Sequence, residues 1–138
     1  MNGKRFLGII CILCSVLKAV ATDYYISPEG NDNANGLTAE NAMATIGAAG
    51  KKVKAGDVVY IMPGTYIVRE SDISKEESSG PYKIIFDMNQ KGTADKPIRF
   101  IGLTDADGKR PVFDLSAVKP AGYRVTAFLV SGQYLVFR

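Results

Sequence analysis

The stretch "KAGDVVYIMPGTYIV", Lys54 to Val68, decides how this chain folds. Gly56-Asp57 makes a tight turn into "VVYIM", a run of β-formers that is apolar on both faces. Pro63-Gly64 suits a type II turn, in which proline fixes the first central residue and glycine accepts positive φ at the second. A second short strand, "TYIV", follows. Two apolar strands joined by so tight a corner imply a chain that bends repeatedly in one direction.

Upstream, "DYYISP" predicts a strand from Tyr24 to Ser27, stopped by Pro28. "GNDNANGLTAEN", Gly30 to Asn41, comes next and tests a calcium reading. Counted from Asn31, the third and fifth positions of an EF-hand loop are Asn33 and Asn35, and Gly36 falls on the sixth. The twelfth is Ala42 rather than a bidentate glutamate, and the first is an amide. The stretch therefore reads as a turn, built from residues whose side-chain oxygens satisfy their own backbone amides. From Glu40 or Asn41 to about Val53 the pattern predicts a helix. Asn41 is its N-cap, and Ala42, Thr45, Ile46 and Ala49 form its apolar face. Gly47 and Gly50 each weaken it by about 1 kcal/mol against alanine, so it needs something to lean on.

Downstream, "RESDISKEESSGP", Arg69 to Pro81, reads as a polar surface loop. Strand-like runs resume in "YKIIFD", "KPIRFIG", "RPVFDLS" and "RVTAFLVSGQYLVFR", separated by Gly, Pro, Asn and Asp turns. This pattern fits an all-β sandwich or a parallel β-helix with coils of uneven length. The β-helix is preferred, because "VVYIM" and "KIIFD" lack the clean in-out alternation of a sheet with one wet face. The short helix is also placed to cover the open end of a stacked core.

The first residues stand apart. Lys4 and Arg5 precede the apolar run "FLGIICILCSVL", and "KAVAT" places Ala19 and Ala21 for cleavage before Thr22. Residues 1–21 thus read as a secretory signal peptide, with a lipoprotein signal as the rival because Cys11 and Cys14 lie inside it. The apolar run is too short for a comfortable membrane span, which needs about 20 residues. The whole chain has 17 basic and 14 acidic residues. Lys4, Arg5 and Lys18 belong to the leader and no acidic residue does, so the mature chain is electrically balanced and carries no nucleic-acid footprint. Both cysteines leave with the leader, and the chain has no histidine. That excludes a disulfide framework, a thiol nucleophile, Ser-His-Asp chemistry and the usual zinc sites within this stretch.

The combination of "YYISPEGNDNANG", a short helix, "AGDVVYIMPGTY" and then "GTADKPIRFIG" and "RPVFDLS" resembles the N-terminal end of secreted β-helix polysaccharide lyases. The match is to polysaccharide lyase family nine, which contains pectate lyases and rhamnogalacturonan lyases, and it runs from Asp23 to Arg138. The resemblance implies a right-handed parallel β-helix of which this chain supplies the N-terminal cap and first coils. On that basis residues 1–21 are the leader, 22–55 the strand, turn and capping helix, and 56–138 the first coils. It implies a full-length lyase, secreted or held at the cell surface or in the periplasm, that cleaves pectate or rhamnogalacturonan with calcium. Such an elimination takes the proton beside a uronate carboxylate and expels the glycosidic oxygen, so the carboxylate must be neutralised and a base must act. In the family the base is a lysine, and both it and the calcium-binding carboxylates come from later coils. The chain is accordingly expected to be truncated relative to its relatives.

Within the stretch itself no residue is assigned a catalytic or metal-ligating role, and those that touch substrate stay unassigned. Glu70, Asp72, Glu76 and Glu77 read as a solvated loop, and Asp105 and Asp107 as a turn. Lys51, Lys52 and Lys54 read as charges favouring a helix C-terminus, and Lys109-Arg110 as turn residues able to touch an acidic glycan. Tyr60, Tyr66 and Tyr134 read as core or coil-stacking residues. Two other functions stay open: a non-catalytic β-helix surface or glycan-binding protein, and a β-helix glycoside hydrolase using paired carboxylates.

Overall fold

A computed structural model describes residues 20–76, 81–119 and 121–138. The signal-peptide reading falls on residues 1–21, so all but its last two residues lie outside those described, as does Glu77.

The first strand is β1, Asp23–Ile26, and a short helix follows as α1, Ile46–Gly50. The "VVYIM" run forms β2, Val58–Ile61, which leads through Pro63-Gly64 into β3, Thr65–Ile67. A 3-10 turn at Glu70–Asp72 and a short β4, Lys75–Glu76, lead to β5, Tyr82–Met88. The same path then repeats one level on: β6 at Ile98–Gly102, β7 at Val112–Asp114, β8 at Arg124–Val130 and β9 at Leu135–Phe137.

Pairing shows the coil directly. One sheet has the order β1-β2-β6-β9, a second pairs β3 with β7, and a third has the order β4-β5-β8. Every ladder is parallel except β4 against β5. That excludes an antiparallel sandwich and makes the molecule a parallel β-helix. Residues therefore stack in rows along the axis. Tyr24 lies beside Val59, Val59 beside Phe100, and Phe100 beside Phe137.

The rows explain the core. Val59, Ile98 and Phe100 point inward and are at most 1 % exposed. Aromatic side chains meet across adjacent coils, with Phe100 on Phe137 at 5.4 Å, Tyr66 on Phe113 at 4.9 Å and Phe86 against Phe128 at 4.7 Å. A fully buried ring such as Phe100 contributes roughly 1.5–3 kcal/mol and the half-exposed Phe128 and Phe137 less, and the stacked rows hold the coils in register.

The corner at Pro63-Gly64 is a bend rather than a hydrogen-bonded turn, with Gly64 at φ 133°. A Cβ there would also come within 2.7 Å of the Pro28 ring, so glycine is required by both conformation and space. Tyr66, just past the corner, places its hydroxyl 2.9 Å from the carbonyl oxygens of both Ile26 and Met62, which share its one proton. Burial, with a smaller effect from Glu29, raises its phenol above the ordinary tyrosine range.

The helix is shorter than its pattern predicts. It begins at Ile46 with Thr45 as N-cap, whose hydroxyl accepts from the amide of Ala48. The expected N-cap Asn41 instead sits in a turn, where its carbonyl accepts from Gly36. Ala42, Ile46 and Ala49 are buried as the pattern requires. The competing demand comes from β1, whose outer edge would otherwise be bare. Met43 fills it: its amide donates to the Tyr25 carbonyl and its carbonyl accepts from Ser27, while Gly36 accepts from Tyr25. An extended Met43 cannot also be helical, and satisfying a buried edge outweighs weak helix propensity in a glycine-bearing segment.

The stretch Gly30 to Asn41 is thus a cap. Asn31 and Asn35 accept from amides two residues on, at 2.9 Å each. Asp32 accepts from the amides of Ala44 and Thr45 and from the Thr45 hydroxyl, all at 2.9 Å. Gly30 lies flush on the Met43 carbonyl, where no Cβ fits. The polar stretch from Arg69 departs from a plain loop: it carries the 3-10 turn and β4, and Ile73 packs on the core.

Candidate functional site

The four-stranded sheet turns one row inward and the alternate row outward. On its outer face Tyr25, Tyr60 and Ile101 lie side by side across β1, β2 and β6, and the neighbouring row runs Asp23, Val58, Arg99 and Val136. The rings of Tyr25 and Tyr60 stack at 5.3 Å with planes 29° apart. Both tyrosines and Arg99 are partly exposed. The Arg99 guanidinium makes no ion pair among the described residues. A cation on the same face as two phenols can pair with a carboxylate while the hydroxyls hydrogen-bond to a sugar.

The sequence candidates scatter. Asp72 closes its own turn by accepting from the Arg69 amide at 2.8 Å, and Glu70 accepts from the Lys119 amide at 3.1 Å, tying loops of successive coils together. Glu76 lies on β4. Asp105 accepts from the amides of Asp107 and Lys109, and Lys109 pairs with Asp107 at 3.9 Å on the surface. Asp105 thus holds the turn read from the sequence, whereas Glu70, Asp72 and Glu76 lie in a 3-10 turn and a short strand where a solvated loop is expected. The lysines differ. Because α1 ends at Gly50, Lys52 and Lys54 lie beyond it, and Lys52 instead donates to the Ala34 carbonyl at 2.8 Å, pinning the cap loop. Tyr66 is core and Tyr60 a stacking residue, as expected. Tyr134 is neither: it is 55 % exposed at φ 52°, because the chain bends there at the corner between β8 and β9.

Calcium does not fit these residues. Among the described residues no group of three His, Cys, Asp or Glu side chains could hold a metal ion. Among the described residues the buried side-chain oxygens without a hydrogen-bond partner are Asp87 Oδ1, from a carboxylate, and Gln90 Oε1, from an amide. Calcium takes roughly 6–8 oxygens. No step of a reaction is therefore derived through a metal bound here.

Sequence reasoning passed over Asp57 as part of a turn. It is 4 % exposed, and its two oxygens accept from the amides of Thr22 at 2.8 Å and Lys54 at 2.7 Å. Its charge, second to burial, raises the neighbouring Tyr24 phenol. Asp57 had a signal in its position after Gly56, whose φ of 98° folds the Lys54 amide back towards the carboxylate.

Stacked parallel coils with a separately built cap define the molecule as a capped parallel β-helix. Residues 24–138 match the family described as Pel9A-like, right handed beta helix region, and the chain belongs to that family. Among solved structures it is similar to a rhamnogalacturonan lyase, with 41% identity and a TM-score of 0.78 over 86% of this chain and 27% of that one. It is also similar to pectate lyase Pel9A, with 28% identity and a TM-score of 0.57 over 87% of this chain and 28% of that one. No curated protein matches it. The chain thus spans little more than a quarter of the length of either lyase. Among the described residues no helix is long and apolar enough to cross a membrane.

Proposed function

We propose that this chain forms the N-terminal cap and first coils of a secreted polysaccharide lyase that cleaves pectate or rhamnogalacturonan by calcium-assisted β-elimination. The observation that carries the reading is the 41% identity to a rhamnogalacturonan lyase at a TM-score of 0.78 over most of the chain. In this reading residues 22–55 close the stack, residues 56–138 begin it, and the elimination chemistry is supplied by coils outside this stretch. The part played here is mechanical: the cap and the aromatic rows fix the position of every coil stacked above them. The exposed Tyr25, Tyr60 and Arg99 face supports contact with an acidic glycan, and it would serve a non-catalytic glycan-binding protein equally well.

The test uses the protein as exported by its own cells, assayed on rhamnogalacturonan and on polygalacturonate. Release of unsaturated uronate, seen by its ultraviolet absorbance and abolished by a calcium chelator, is the expected result. Cleavage that yields only saturated ends would make the protein a glycoside hydrolase. Glycan retention without cleavage would make it a binding protein.

A further inference from the structure

We propose that export processing completes the fold: cutting the Ala21–Thr22 bond turns the Thr22 nitrogen into an ammonium that forms an ion pair with the buried Asp57 carboxylate. The Thr22 nitrogen lies 2.8 Å from Asp57 Oδ1. That carboxylate is 4 % exposed, its other oxygen is held by the Lys54 amide, and no cation pairs with it among the described residues. A buried carboxylate supported only by neutral amides lacks the partner that offsets its loss of hydration. Meanwhile the chain just upstream is free of the body of the molecule, with Val20 86 % exposed and Ala21 exposed. The residues ending there are Ala19-Val20-Ala21, the small-residue pattern at which export peptidases cut.

The covalent step is a hydrolysis. One water adds across the Ala21–Thr22 peptide bond. Its oxygen goes to the Ala21 carbonyl carbon, which departs with the leader as a carboxylate, and the Thr22 nitrogen becomes an amine that is protonated at neutral pH. The new ammonium already sits where the amide donated, so the bond to Asp57 Oδ1 becomes charge-assisted and strengthens without rearrangement. Thr22 is also anchored on its other side, its carbonyl accepting from Val58 at 3.0 Å. The inference does not depend on the glycan or the reaction. It assigns a processing site and gives the carboxylate of the Gly56-Asp57 turn a specific partner.

Two measurements test it. Mass spectrometry of the exported protein should find Thr22 as its first residue; any other start overturns the proposal. The mature chain is then made behind a removable leader that leaves either Thr22 or Ala21 first. Both forms keep the Thr22 N–H donor and differ in where the positive charge lies. The form beginning at Thr22 should unfold higher by about 3–5 °C, and Asp57→Asn should remove that difference. Equal melting temperatures, or a difference that survives Asp57→Asn, would overturn it. If Asp57→Asn does not fold, acetylating the Thr22 amine supplies the missing arm: it should lower the melting temperature to that of the Ala21-first form, and no change would overturn the pairing.

Discussion

The two ends of the coil stack are made of similar residues and meet opposite fates. At the first rung Ile26 and Val59 are wholly buried, with Met43 across the strand edge and Ile46 and Ala49 of the helix packed over them. At the last rung Val130 is 54 % exposed, Phe137 46 % and Phe128 43 %. Between them opens an apolar hollow of about 330 Å³, lined by Ile61, Phe100, Phe113 and Phe128 among others. The contrast teaches that a parallel coil has no inside of its own. Its inward residues are covered only when another layer, a coil or a purpose-built cap, lies on each side.

The sharpest way to break that comparison is a matched pair of truncations in one row. Phe100 is 1 % exposed and stacks on Phe137, which is 46 % exposed. Phe100→Ala should cost about 3–5 kcal/mol and Phe137→Ala about 1–2 kcal/mol. Urea titration of each variant reads the difference, and equal losses would mean that the last rung is as well covered as the middle one.

A smaller effect separates the turns. Asp32 makes three hydrogen bonds that fasten the start of α1 across the chain, whereas Asp105 holds only its own exposed turn. Asp32→Ala is expected to lower stability by about 1–2 kcal/mol and Asp105→Ala by about 0.5–1 kcal/mol. Hydrogen exchange sharpens the point: the Ala44 and Thr45 amides should lose protection in the first variant alone.

The smallest change in stability, with a visible change in behaviour, belongs to the exposed strand edge. Among the described residues no strand pairs with the outer edges of β8 and β9, and Val130 and Phe137 are exposed beside them, which invites a second copy of this stretch to add its own strands. Light scattering of this 138-residue stretch should show dimers or larger species, and Val130→Lys should shift them towards monomer with a stability change within about 0.5 kcal/mol. A wild-type stretch that stays monomeric at every concentration would break the comparison at its root.

How much of this was legible beforehand depended on the range of the interaction. Strands such as β2, β5 and β6 were readable because β-formers and turn residues act within a few positions. The structural role of Gly30 to Asn41 was readable for the same reason, since Asn31 and Asn35 satisfy amides two residues away. The helix boundary was not. Periodicity marked Ala42, Ile46 and Ala49 as a buried face, and they are buried, but Met43 was drawn into the edge of β1 by a bond to Tyr25 eighteen positions earlier. Tyr134 was misplaced because its strand-like neighbours hid a bend between two sheets. As for the candidate site, the balanced charge and lack of histidine were plain in composition, whereas the meeting of Tyr25, Tyr60 and Arg99 on one face depends on register between distant strands.

The sequence by itself determined that this is a chain of short apolar strands broken by turn residues, with no histidine and with both cysteines ahead of the first strand. Those properties follow from local propensity and composition, which need no partner. Only the tertiary structure decided which residues stack, where the helix begins, that the Asp57 carboxylate is buried against Thr22, and which apolar side chains are left facing water. Each of those depends on the coil bringing together residues tens of positions apart, and no local preference encodes the register in which they meet.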